Sequence, residues 1–537
     1  LNSIWNKNYS LFQKKFPELS KMLGQINEND IQPAAFWNIT TARNGQLTAT
    51  EISSGLHLHS AYNPEREAVL AACIPDAFEK SCTVFYGFGL GYHVVAWAKS
   101  AKNRKLVLIE PDTARFFAAL KLLDWSPVFK LQNLVIAVGA PAESVLHLIE
   151  DNKTINIEKS GVSDSYFFDI PAFQAHAASY FDTVKKIIKR NQRKNEINAA
   201  TLKKFGKRWC RNSLENLNRI AECGAISGIS KIIEDKSYYG NSLPFFIAGA
   251  GPTLEHVAPH LKEIKKRCII ITVETSLHVL LREGVQPDFI ILTDPQFWAY
   301  RHISALHSPK SVLITEISAY PSVFRFDCGK ILLCSSQFPV GQYFENHFNL
   351  LQGDLGAGGS VSSSAWNFAN FCGAEKVFIA GLDFAFPGNQ THIKGSSAEQ
   401  TYHTVSDRIT AADKYTAESI FNANGIYGFD YENNSVLTDS RMKMFAWWFE
   451  SRLASCPKTK TYTLCTQSLK ITGIQSAQLS ELLAYPEITV QKENFMEKVF
   501  EIRSVLSTAE REELVRMKNN FPSSDFLSLF PFLREYF

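Results

Sequence analysis

Residues 244–254 read PFFIAGAGPTL, and this stretch decides the architecture. Its first half is a short apolar run of strand type. It then breaks into Gly249-Ala250-Gly251-Pro252-Thr253-Leu254 and a helical pattern. Gly249 and Gly251 allow a sharp turn and close approach of the backbone to a ligand. Pro252 suits the first helical turn, Thr253 adds a hydroxyl, and a following helix start offers N–H groups to a phosphate. A structural tight turn is the equally good plain explanation of this motif alone.

The pattern repeats outward. CIIITVE (268–274), DFIILTD (288–294), SVLITE (311–316), KILLCSS (330–336) and KVFIAGLD (376–383) are further strand-like runs, most of them separated by helical segments. This predicts a doubly wound α/β domain over residues 236–435, with ligands outside the carboxyl ends of the strands. Three of those ends carry polar groups: Glu274-Thr275-Ser276, Asp294-Pro295 and Gly381-Leu382-Asp383. Gly356-Ala357-Gly358-Gly359-Ser360-Val361-Ser362, ahead of a helix, supplies more backbone N–H and hydroxyl donors. Each acid has helix capping as its ordinary role, but their convergence on one sheet edge points to a site.

Residues 1–180 also alternate strand and helix (TVFYGFGL, KLVLIEPD, NLVIAVG), predicting a Rossmann-like domain. Here Gly87-Phe88-Gly89-Leu90-Gly91 follows a strand, and Glu110 ends the next one. That pattern would grip the ribose of S-adenosylmethionine if taken literally. No catalytic motif follows it, which favours a scaffold or acceptor-recognition role. Residues 181–235 read as a helical connector with eleven Lys or Arg between 185 and 211, best taken as a solvated face. Residues 436–537 read as a helical C-terminal domain. There Trp447, Trp448 and Phe449 offer aromatic surface, although such spacing more often marks core.

A chain of 537 residues with 45% hydrophobic and 20% charged residues is a folded protein of two to four domains. Its net charge of +3 argues against a dedicated nucleic-acid partner. Ten scattered cysteines form no C-x-x-C pair, and no apolar run nears the roughly 20 residues of a membrane span. A reducing, cytoplasmic setting without membrane attachment is expected.

In order, G-A-G-P-T-L, P-D-F-I-I-L-T-D-P, G-G-S-V-S-S-S-A and G-L-D-F-A-F with T-H-I-K-G resemble the motility-associated factor (Maf) flagellin glycosyltransferases. These share a central domain with 6-hydroxymethylpterin diphosphokinase-like proteins, and the motif order is similar to that of bacterial CMP-sialic acid transferases. The resemblance is firmest over residues 244–396 and weaker at W-C-R-N-S-L-E-N-L (209–217) and L-T-D-S (437–440). It implies transfer of a nonulosonic acid of pseudaminic or legionaminic type from a CMP-activated donor to Ser or Thr of flagellin. It also implies that Gly249, Gly251 and Thr253 hold the nucleotide phosphate. Glu274, Thr275 and Ser360 would belong to the donor site, and Asp294 and Asp383 would line it by hydrogen bonding or through a divalent metal. Leu382 stands where the family commonly has Gln, and Glu274-Thr275 departs from its D-S-A-like segment.

The acceptor hydroxyl needs a base. His392, just past Asp383, is the candidate and His403 the reserve, while Lys394 could meet a donor carboxylate or phosphate. Two other functions compete: an ATP- and Mg²⁺-dependent pterin diphosphokinase with Asp294 and Asp383 as ligands, and a non-catalytic flagellin chaperone.

Overall fold

The computed structural model describes residues 2–24, 31–100, 104–149, 164–234, 243–356 and 358–520. It divides into two compact units, Leu1–Lys204 and Phe205–Phe537. The expected α/β, multidomain architecture is present.

The first unit opens its sheet structure with an antiparallel hairpin, β1 (Trp37–Thr41) and β2 (Leu47–Glu51). Its main sheet is parallel and contains β3 (Cys82–Tyr86), β4 (Lys105–Glu110), β5 (Leu134–Val138) and β6 (Ser165–Asp169), in the order β5-β4-β3-β6. The strands read as apolar runs because both faces are covered. Phe85, Leu106 and Leu108 enter a core with Trp97, Phe116 and Trp125, whereas Val84, Tyr86 and Val107 enter another with Val145 and Phe181.

The second unit is built on a nine-stranded sheet. In chain order its strands are β7 (Gly224–Ala225), β8 (Phe245–Ala248), β9 (Ile269–Val273), β10 (Phe289–Ile291), β11 (His307–Thr315), β12 (Asp327–Leu333) and β13 (Lys376–Ala380). A separate antiparallel hairpin, β14 (Ile426–Phe429) and β15 (Ser435–Thr438), comes next, and β16 (Lys460–Thr463) and β17 (Ile474–Ser476) complete the large sheet. All its pairings are parallel, in the order β17-β16-β13-β8-β9-β10-β11-β12-β7.

Alternation along β8 explains the double covering. Phe245 and Ile247 point into a core with Trp366, Phe368 and Phe449, and Phe246 and Ala248 into one with Leu254, Leu261 and Ile264. Phe449 is thus core, and Trp448 packs beside it.

Two expected boundaries look different in three dimensions. The stretch 436–537 is not helical throughout, because β16 and β17 extend the central sheet beside β13. The 181–235 stretch contains most of one long helix, Ala178–Glu215, but also holds β7, which pairs with β12 and is followed by the helix Ser227–Glu234. All three strands are short, so their pairing partners and not local periodicity make them strands. Among the described residues no helix is long and apolar enough to cross a membrane.

Candidate functional site

From β8 the chain winds through β9, β10, β11 and β12 on one side, then returns to place β13, β16 and β17 on the other. The strand order therefore reverses between β8 and β13. In a parallel sheet the carboxyl ends at such a reversal leave a crevice, where ligands bind. Gly249 and Gly251 leave β8 at this place, and Gly381 and Asp383 leave β13.

These two loops grip each other. Gly249 N–H donates to Ala380 O and Gly251 N–H to Gly381 O, each at 2.8 Å. A Cβ on Gly249 would collide with Gly381 O, and one on Gly251 with the Asp383 carboxylate. The glycines are therefore required by backbone packing against the neighbouring loop. Thr253, expected to meet a phosphate, is buried and engaged instead: its N–H donates to Asp383 Oδ2 at 3.0 Å and its hydroxyl to Asp383 Oδ1. Asp383 thus fills the helix start that a phosphate would use. The physical reason is that an unpaired helix start accepts any anion, and this chain supplies its own. Burial pushes the Asp383 carboxyl up to about 6, against the lowering effect of the Thr253 hydrogen bonds.

One strand further, Glu274 ends β9. It is 6% exposed, and its Oε2 has no hydrogen-bond partner. Burial, reinforced by the charge of Asp294, pushes its pKa up to about 8, so it carries a proton at neutral pH. Asp294, at the end of the next strand, is partly exposed and accepts from Gln296 N–H at 2.7 Å. Thr275 between them is half-buried. A buried, protonated acid next to a second acid on the adjacent strand end is a pattern typical of functional sites.

The T-H-I-K-G loop lies across the glycine loop. Ile393 N–H donates to Ala250 O at 2.9 Å, and Lys394 N–H to Glu255 Oε1 at 3.0 Å. Lys394 Nζ also pairs with Glu255 at 3.5 Å. His392 is thereby held beside the crevice, exposed, with Thr391 Oγ1 3.2 Å from its Nδ1. Crowding by neighbouring atoms and the Arg441 charge lower its pKa, an effect that solvent screens, so the ring is neutral at pH 7. The reserve base, His403, is exposed in the last turn of the helix Ser397–Val405.

Ser360 has the capping role: its Oγ accepts from Ser362 N–H at the start of the helix Val361–Phe371. Ala357 of the same stretch lies outside the described residues. In the first unit the glycine loop is filled. Phe173 and Trp125 occupy the space above Gly87 and Gly91, and Glu110 is buried 2.8 Å from His176 Nε2.

Three contributors were not singled out from the sequence. Asn212 donates to Pro295 O (2.9 Å) and Ser318 O (3.0 Å), and Asn216 to Ile317 O and Ala319 O (2.8 Å each). Four residues apart, Asn212 in the last turn of the helix Ala178–Glu215 and Asn216 in the turn just past it, they clamp the loops after β10 and β11. Their only sequence signal is the W-C-R-N-S-L-E-N-L run itself. His302 hydrogen-bonds Ser397, and burial, followed by the influence of His392 and Arg301, lowers its pKa to about 4. Among the described residues no group of three or more His, Cys, Asp or Glu side chains could hold a metal ion.

Two family models match the chain: the glycosyltransferase Maf N-terminal domain over residues 44–134 and the 6-hydroxymethylpterin diphosphokinase MptE-like domain over residues 211–389. An uncharacterized protein of Treponema pallidum (strain Nichols) is 31% identical over 229 residues, covering 37% of this chain and 58% of that protein. A second uncharacterized protein of that strain is 26% identical over 266 residues, covering 49% of this chain and 85% of its own length. The chain thus spans just over half the length of the first of these relatives. The solved structure of a Maf glycosyltransferase from Magnetospirillum magneticum AMB-1 aligns with a TM-score of 0.59 and 14% identity. That alignment covers 95% of this chain and 82% of the other.

Proposed function

We propose that this chain, which carries the Maf glycosyltransferase N-terminal domain and an MptE-like domain, is a glycosyltransferase of the Maf type. On this reading it moves a nonulosonic acid of pseudaminic or legionaminic type from a CMP-activated donor to Ser or Thr hydroxyls of flagellin, in the cytoplasm. The observation that carries the reading is the protonated Glu274, whose Oε2 lacks a partner, beside Asp294 at the strand-order reversal, with His392 held over the same glycine loop. The fold likeness to a Maf glycosyltransferase over nearly the whole chain supports it.

In the reaction, the bond from the sugar's anomeric carbon to the CMP phosphate oxygen breaks, and a bond from that carbon to the acceptor oxygen forms. The departing phosphate gains negative charge. Glu274 offers it a hydrogen bond from a carboxyl that is neutral at working pH. The acceptor hydroxyl proton passes to a ring nitrogen of His392, whose neutral form is the one required. The Asp294 carboxylate favours positive charge developing on the sugar. Gly249, Gly251, Thr253 and Asp383 act one layer back: they fix the loop on which His392 rests.

Titration with CMP, CDP, ATP and S-adenosylmethionine, each with and without Mg²⁺, tests the reading by thermal shift. Preference for CMP supports it. The MptE-like match favours a second reading, a diphosphokinase, which preference for ATP with Mg²⁺ would establish in its place. His392→Ala should abolish transfer while CMP binding persists; undiminished turnover would remove His392 from the mechanism.

A further inference from the structure

A cleft of about 880 Å³ opens between the 388–394 loop and the helix Ala412–Asn422. We propose that it is the acceptor site, and that its occupant is a polypeptide segment carrying a Ser or Thr hydroxyl between apolar side chains. This rests on the glycosyltransferase reading above and adds to it the place where the acceptor enters.

Three observations point there. First, His392 and Lys394 line the cleft wall, while Ile393 between them is tied to Ala250 of the glycine loop. One short loop therefore faces the crevice at one side and the cleft at the other. A base must come within about 2.6–3.2 Å of the hydroxyl it deprotonates. If His392 is that base, the acceptor oxygen must approach through the space that His392 lines.

Second, the cleft has an apolar rim. Phe421 and Tyr427, both lining residues, are 84% and 72% exposed, with Ile409 at 94% and Phe429 at 65% in the same stretch. Tyr427 and Phe429 sit two residues apart on β14 and share its open face. Large aromatic side chains standing together in water mark a surface for another protein. A lone sugar would need only the polar walls, which Asp413, Thr416 and Lys394 provide. Polar walls under an aromatic rim match the backbone and the side chains of a peptide segment, respectively.

Third, the cleft is built on a braced frame. Tyr402 and Tyr415 stack at 5.5 Å across the two helices Ser397–Val405 and Ala412–Asn422. Phe386 N–H donates to Leu437 O at 2.8 Å, and the Thr438 hydroxyl donates to Phe384 O at 2.6 Å. These bonds tie the β14–β15 hairpin to the loop that follows Asp383. The rim is thus held in fixed relation to the crevice without its exposed side chains taking part.

The test uses the full chain, CMP-pseudaminic acid and CMP-legionaminic acid as donors, and purified flagellin as acceptor, with Phe421→Asp, Tyr427→Asp and the double variant. Both positions are exposed, so Tm should stay within about 2 °C of wild type. The KM for flagellin should rise at least fivefold in each single variant and at least twentyfold in the double variant, with the KM for the donor within twofold. Wild-type transfer with an unaltered flagellin KM in all three variants overturns the acceptor cleft and leaves the function reading standing. Absence of transfer to flagellin by the wild type, with either donor, overturns the flagellin glycosyltransferase reading and this inference with it.

Discussion

Glu274 gives the sharpest quantitative consequence of the fold. Its side chain is buried without a partner for Oε2, and its carboxyl titrates near 8 in the folded protein against 4.5 for an unperturbed glutamate. The folded state therefore keeps a proton that the unfolded chain gives up. A raised carboxyl pKa leaves stability intact below the unfolded value and erodes it as pH rises toward the folded one. Linkage between those two values costs about 1 kcal/mol at pH 5, about 3 kcal/mol at pH 7 and about 5 kcal/mol at pH 9. Glu274→Gln keeps the shape and removes the titration. The stability of the variant relative to wild type should accordingly grow by up to about 4 kcal/mol between pH 5 and pH 9. Because the chain has two units, a single unfolding curve would mix them. Hydrogen-exchange mass spectrometry on peptides spanning β8 to β10, across a urea series at each pH, reads the second unit directly. Wild-type and variant curves that run parallel within about 1 kcal/mol over that range would refute the reasoning. They would show that Glu274 ionises in the fold like an exposed acid.

Gly251→Ala places a methyl group against the Asp383 carboxylate, so it should destabilise the second unit by about 1–3 kcal/mol and weaken CMP binding, read by calorimetric titration. Asn212→Ala strips donors from Pro295 O and Ser318 O and should cost about 2–4 kcal/mol in urea unfolding, while Arg211→Ala on the exposed face should leave the unfolding midpoint unchanged. In the first unit His59 and His93 are buried 5.4 Å apart, centroid to centroid, and burial lowers both pKa values, His93 to about 4. Depressed histidine pKa values make stability full above about pH 6.5 and reduce it below, by about 2 kcal/mol at pH 5 for His93 alone. Peptides from β3 and β4 should lose exchange protection over that window, and His93→Phe should flatten the loss.

The resemblance rested on local motifs, and local motifs were legible because close backbone approach leaves glycine no substitute. At Gly249 and Gly251 the collision partners are Gly381 and Asp383, so the two motifs that carried the resemblance are two halves of one contact. That pairing was hidden in the sequence, since 130 residues separate Thr253 from Asp383. Thr253 was consequently read as a phosphate ligand and Ser360 as a donor-site hydroxyl. In the fold Ser360 caps the helix that follows it, a role the family's motif does not announce. Glu274 was located from its position at a strand end, but its protonation depends on neighbours from other strands.

By itself the sequence determined the alternation of strand and helix, the two glycine loops, and the acids that end successive strands. These follow from side-chain period, backbone freedom and the switch from apolar to polar residues, all of which act within a few positions. Only the tertiary structure decided strand order, and with it the placement of β13 against β8 and the recruitment of β16 and β17 from the C-terminal stretch. A parallel strand buried on both faces shows the same apolar run whatever its neighbour, so its periodicity cannot name the partner. Partner choice sets which anion fills the helix start after Gly251, which carboxyl loses its water, and which histidine reaches the crevice.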